Sequence, residues 1–144
     1  MIKTKSCLLF FLFFHPEIFA SDLEISNFSF TGNPRDNNPT LYVYFTVSWN
    51  NSWKNEKNQD GAWVFFKLRH QNDLRTHRHA YVKASGHQLV YNYLQNNISP
   101  EFYVPPHRAG VMIVPSGQHR GNISWRVKVE LDVALLKGID FSGN

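Results

Sequence analysis

An all-β fold, an antiparallel two-sheet sandwich of the immunoglobulin or jelly-roll kind with about seven to eight strands, is what this sequence predicts; a partly closed barrel is the alternative. Three observations predict it. Apolar and polar residues alternate with a period of two in separate runs, the pattern of strands with one face in a core. Clusters rich in Gly, Pro, Asn and Ser punctuate those runs. No stretch carries helical spacing over a useful length, whereas 12 Phe, 6 Tyr and 4 Trp supply the bulky residues that suit sheets.

In chain order, the first strand is expected over 23–30, followed by the turn-rich segment 31–39. The next, 41–49, is the clearest of the early runs: Leu41, Val43, Phe45, Val47 and Trp49 alternate with Tyr42, Tyr44, Thr46 and Ser48. A strand over 62–69 has two apolar faces, Ala62, Val64, Phe66 and Leu68 on one and Trp63 and Phe65 on the other. It reads as a central strand covered on both sides, or as one whose Trp63 face borders a groove. Strands over 79–83, 88–93 and 111–114 follow, separated by Ala84-Ser85-Gly86 and Pro105-Pro106. The last run, 123–133, sets Ile123, Trp125, Val127, Val129, Leu131 and Val133 against Ser124, Arg126, Lys128, Glu130 and Asp132.

The N-terminus has Lys3 and Lys5, an apolar run over 7–14, His15-Pro16, and Ala20 before Ser21. This is the pattern of a secretory signal peptide over 1–20, with cleavage expected after Ala20 and a single sandwich domain over 21–144. The run is too short to cross a bilayer, and no later segment is long and apolar enough, so no integral membrane segment is expected. The expected location is secreted, periplasmic or at the cell surface. The only cysteine, Cys7, lies in the leader, so the mature chain has no disulfide or thiolate to use. Of 15 basic and 11 acidic residues, Lys3, Lys5 and Glu17 fall in the leader, leaving 13 and 10, a net charge near +3. That balance is mild and, apart from a knot at Arg69, Arg75 and Arg78, scattered, so a nucleic-acid partner is not expected.

Three segments carry a resemblance to a known family. They are Phe45-Thr46-Val47-Ser48-Trp49-Asn50-Asn51-Ser52-Trp53-Lys54, then Asn58-Gln59-Asp60-Gly61-Ala62-Trp63-Val64-Phe65-Phe66-Lys67, then His77-Arg78-His79-Ala80. In order and spacing they resemble the β-rich N-terminal module of secreted bacterial proteins that carry a formylglycine-generating-enzyme (sulfatase-modifying-factor) type domain. The segments 109–113 and 125–133 look like that module's last two strands. The sequence departs from the pattern at Gln59 and His77, where the module has tryptophan, and at Gly61, where it has alanine. The chain stops where the enzyme domain would begin. What the resemblance implies is therefore an exported accessory module, without the enzyme domain's copper chemistry.

Residues 48–67 hold three of the four tryptophans. Trp49 continues a core-facing series; Trp53 is read as a loop residue; Trp63 sits on a strand. Aromatic faces stack on the C–H faces of sugar rings while amides and carboxylates bind the hydroxyls. Trp53, Trp63, Asn50, Asn51 and Asp60 are thus the candidate ligand-binding residues. The competing reading is core packing, with Asp60 and the asparagines holding turns. His70, His77 and His79 are the metal candidates, His77 and His79 because their spacing puts both on one strand face. Arg75 and Arg78 nearby oppose a cation, so no metal or other cofactor is expected. Glu130 and Asp132 are the closest carboxylate pair, and a solvated face with cross-strand ion pairs accounts for them better than glycoside cleavage. No G-x-S-x-G elbow and no Gly-rich phosphate loop is present. The expectation is a non-catalytic module that packs on or binds a partner protein or domain. The alternative is a carbohydrate- or cell-envelope-binding module using Trp53 and Trp63.

Overall fold

A computed structural model describes residues 22–33, 36–70 and 73–136, with the backbone alone at 69–70 and 73–76. The expected signal peptide lies outside the described residues. The chain is nearly all β: β1 (Leu23–Thr31), β2 (Tyr42–Lys54), β3 (Ala62–Val64), β4 (Phe66–His70), β5 (Asp73–Ala80), β6 (Gln88–Asn92), β7 (Pro100–Tyr103), β8 (Val111–Pro115) and β9 (His119–Glu130), then a single 3₁₀ turn at Val133–Leu136. All pairings are antiparallel. A four-stranded sheet runs β1-β2-β9-β6, a three-stranded sheet runs β3-β8-β7, and β4 and β5 form a two-stranded ribbon.

The two runs with the cleanest alternation, β2 and β9, lie side by side at the centre of the larger sheet. Their register sets Val43 opposite Val129, Phe45 opposite Val127, Val47 opposite Trp125 and Trp49 opposite Ile123, so every core residue of one strand meets a core residue of the other. A slip of one residue would turn one of the two rows to water, which is why so regular a pattern specifies its pairing. Ala62, Val64, Phe66, Ala80, Val111 and Ile113 come from the other two ladders to close the same core. Phe45 and Phe66 meet across it with ring centroids 6.1 Å apart, and Trp49 stands edge-on to Trp125 at 5.7 Å. Trp125 is wholly buried, and its indole N–H is satisfied by the carbonyl of Ile98, 3.0 Å away.

Several boundaries differ from those expected, each for a local reason. The segment 62–69 is two strands, because the chain leaves β8 after Val64 and takes up β5 from Phe66. With Trp63 exposed, β3 is an edge strand and not one covered on both sides. The strand expected over 79–83 is the end of β5; beyond it only Val82 makes a bridge, to Leu131. β7 was not anticipated. β9 ends at Glu130, and Val133 belongs to the 3₁₀ turn instead of a strand.

Candidate functional site

β2 does not stop at Trp49. Continued alternation would send residues 51 and 53 into the core, but the register shifts between Trp49 and Ser52. Asn51 absorbs the extra residue in the left-handed region, φ 54°, which asparagine tolerates better than most. Its N–H donates to Asn122 Oδ1 at 3.1 Å. Ser52 thereby turns inward and is fully buried, while Trp53 turns outward beside Arg120 and is 37% exposed. Trp53 is therefore a strand residue, not a loop residue.

The loop proper starts one residue later. Asn55 Oδ1 accepts the N–H groups of Lys57 and Asn58 at 2.8 Å, closing the turn, and Lys54 bridges Gln59. Asp60 clamps the base: its N–H donates to the Trp53 carbonyl at 3.0 Å, and its Oδ2 accepts the Trp53 N–H at the same distance. Asp60 and Asn51 are thus engaged with the backbone. Asn50 is exposed beside the bulge.

Trp63 lies elsewhere. Ala62 and Val64 on either side of it are buried, so its ring leaves from the outer surface of the three-stranded sheet, whereas Trp53 leaves from the outer surface of the four-stranded one. A single groove lined by both rings is not what this register builds. Trp63 instead has neighbours that the sequence reading did not name. Met112 is its partner on β8, and Tyr103 on β7 is the partner of Met112 on the other side, so Trp63, Met112 and Tyr103 form one row across the sheet. Two strand spacings separate the two aromatic residues by about 10 Å.

The presentation of Trp63 depends on Gly110. A methyl group there would meet the Trp63 ring at 2.8 Å and the Val64 carbonyl oxygen at 2.6 Å. The ring thus rests against the Gly110 backbone and is 40% exposed, with the His107 ring edge-on at 6.4 Å. Tyr103 is 54% exposed and its hydroxyl donates to Glu101 Oε2 at 2.8 Å, which raises the phenol pKa and keeps the group a donor. Lys54 Nζ stands 3.6 Å from the same carboxylate oxygen and donates to the Pro115 carbonyl at 2.9 Å. Ring faces and fixed hydrogen-bonding groups therefore share one surface.

The remaining candidates are dispersed. His77 and His79 do share a face of β5, opposite Arg69 and Lys67. His79 is engaged: its ring stacks on Phe65 at 6.0 Å, and its Nε2 meets the carbonyl oxygen of Ala109. The side chain of His70 lies outside the described residues. Among the described residues, no group of three or more His, Cys, Asp or Glu is placed to hold a metal ion. Glu130 and Asp132 are mostly buried, not on a solvated face, and their cations come from loops instead of neighbouring strands. Lys83 Nζ lies 2.6 Å from Glu130, and Arg108 Nη1 lies 2.6 Å from Asp132. Among the described residues no helix is long and apolar enough to cross a membrane.

Compared with known proteins, the chain matches no family model, no curated protein and no solved structure.

Proposed function

We propose that the chain is an exported, non-catalytic binding module whose row of Trp63, Met112 and Tyr103 takes a carbohydrate chain. The observation that carries this reading is the indole of Trp63 resting on Gly110 with 40% of the residue open to solvent. A ring backed by the chain and partly open to solvent can stack on the C–H face of a sugar. Tyr103, about 10 Å away across the sheet, offers a second ring to a sugar further along the same chain. The Glu101 carboxylate and the Tyr103 oxygen supply acceptors for sugar hydroxyls. The engagement of Glu130 and Asp132 with Lys83 and Arg108 supports a role without catalysis. The test is electrophoresis of the purified protein through gels containing neutral polysaccharides. Trp63→Ala and Tyr103→Ala should each lose the retardation shown by the parent while melting within a few degrees of it. Retardation that survives both substitutions sinks the reading.

A second reading, docking on a partner protein or domain, has its own support at the edge of the larger sheet. β6 ends that sheet, and Val90 and Leu94 stand about half-exposed beside it. Apolar residues at an open strand edge favour pairing with another chain. Val90→Lys should abolish such docking and leave polysaccharide retardation intact. The likeness to a formylglycine-enzyme-associated module supports an accessory role only broadly, because its best-matched residues build the core strand β2, the Asn51 bulge and the Asp60 clamp. Such residues speak to fold more than to ligand.

A further inference from the structure

We propose that the outer face of the four-stranded sheet is a second, separate binding face, which takes an extended acidic polysaccharide lying along β9. The core residues Ile123, Trp125 and Val127 alternate along β9 with Arg120, Asn122, Ser124, Arg126 and Lys128, which therefore point outward in one row. From Arg120 to Lys128 that row runs about 27 Å. β9 is an inner strand of the sheet, so the row lies along its middle.

Aromatic residues flank the row on both sides. On β2, the Tyr42 and Tyr44 rings lie beneath the cations: Lys128 Nζ sits 4.9 Å from the centre of Tyr42, and the Arg126 guanidinium 5.8 Å from that of Tyr44. On β6, Tyr91 is the register partner of Arg126, and Tyr93 meets it edge-on at 5.1 Å, each about half-exposed. Trp53 stands beside Arg120 at the far end. The face thus sets exposed rings beside a line of positive charge.

The charge on this face is not neutralised from within. Glu130 is taken by Lys83 at 2.6 Å, and Glu24 lies on the edge strand opposite Ser48. Neither Lys128 nor Arg120 has a carboxylate partner among the described residues. Arg126 donates to the Asn27 carbonyl and to Ser29 Oγ, which engages two of its five N–H groups and fixes its position. Charge complementarity therefore calls for an anionic ligand.

The spacing selects among anions. Arg126 and Lys128 are about 7 Å apart, Arg120 a further 20 Å or so along the strand. Asn122 and Ser124 fill the interval with neutral hydrogen-bonding groups. A polymer rich in hydroxyls, with carboxylates at intervals, matches that sequence of groups. A nucleic acid, charged at every nucleotide, would set most of its phosphates over neutral side chains. This inference stands on residues distinct from the Trp63 row and does not depend on it.

The probe is linear hyaluronate, which carries a carboxylate on every second sugar, with the purified protein in affinity electrophoresis and titration calorimetry at low and moderate salt. The parent should be retarded, less so as salt rises. Lys128→Gln combined with Arg120→Gln should weaken binding at least ten-fold, with the far-ultraviolet dichroism unchanged, since neither side chain holds up the fold. Trp63→Ala should bind hyaluronate as the parent does. No binding by the parent, equal binding by the double variant, or tighter binding of a single-stranded oligonucleotide than of hyaluronate would each overturn the proposal.

Discussion

Gly110 and His87 show how single residues set the properties of this chain. At Gly110 the constraint is steric: a methyl group would press on both the Val64 carbonyl and the Trp63 ring. Backbone cannot give way as a flexible side chain can, so Gly110→Ala should cost about 1 to 3 kcal/mol, the range for overpacking a tight site. The midpoint of urea unfolding should fall with its slope unchanged, and neutral-polysaccharide retardation should fall with it. His87 is constrained electrically. Its Nε2 lies 3.0 Å from the Lys83 carbonyl and its Nδ1 accepts the Glu130 N–H at 3.2 Å, an arrangement for the neutral ring protonated at Nε2. Burial lowers its pKa below the ordinary 6.5, outweighing the Lys83 carbonyl and the Glu130 charge, which raise it. The unfolded chain then takes up the proton first. Stability is complete above about pH 6.5 and declines as pH falls through the lower folded pKa. Melting temperature should therefore drop between pH 7.5 and 5, and His87→Gln should show a smaller drop over the same interval. An equal drop in the two proteins would place the proton uptake elsewhere.

At the level of elements, the bulge in β2 decides what the aromatic residues can do. Asn51 takes up the added residue with a positive φ, so that Ser52 is buried and Trp53 exposed. A β-branched residue resists this conformation, and Asn51→Val should destabilise by about 1 to 2 kcal/mol, whereas Asn51→Gly should be nearly neutral. Denaturation midpoints of the two variants check this directly. The same bulge explains where the sequence was legible and where it was not. The inward rows of β2 and β9 were plain, because burial imposes period two on the residues themselves. The face of Trp53 was hidden, because one extra residue reverses the alternation and Asn50-Asn51 reads equally well as a turn. β7 was missed since Pro100, Glu101, Phe102 and Tyr103 are too few to show a period. β5, Asp-Leu-Arg-Thr-His-Arg-His-Ala, is too polar for most of its length to look like a strand. Met112 and Tyr103 became part of the Trp63 row only through cross-strand register, which lies between segments distant in sequence and leaves no mark in either.

For the molecule as a whole, the decisive fact is that one core serves all three ladders. Phe45 and Trp125 of the larger sheet, Val64 and Ile113 of the smaller, and Phe66 and Ala80 of the ribbon belong to a single buried cluster. The described residues include no cysteine to tie these layers covalently, so packing across the interior must do so. Phe45 is wholly buried on a central strand and reaches Phe66 at 6.1 Å, which makes it the side chain that links the larger sheet to the ribbon. Phe45→Ala should cost about 3 to 5 kcal/mol, the loss of a large buried ring and the cavity it leaves. If the layers are one cooperative unit, unfolding of the variant will remain a single transition, coincident by tryptophan fluorescence and far-ultraviolet dichroism. The alternative is that the ribbon and smaller sheet melt ahead of the larger sheet, in which case the two signals will separate in Phe45→Ala before they do in the parent. Coincidence would mean that the Trp63 row and the Lys128 face, on opposite sides of that core, are lost together, and that a ligand on either one stabilises both.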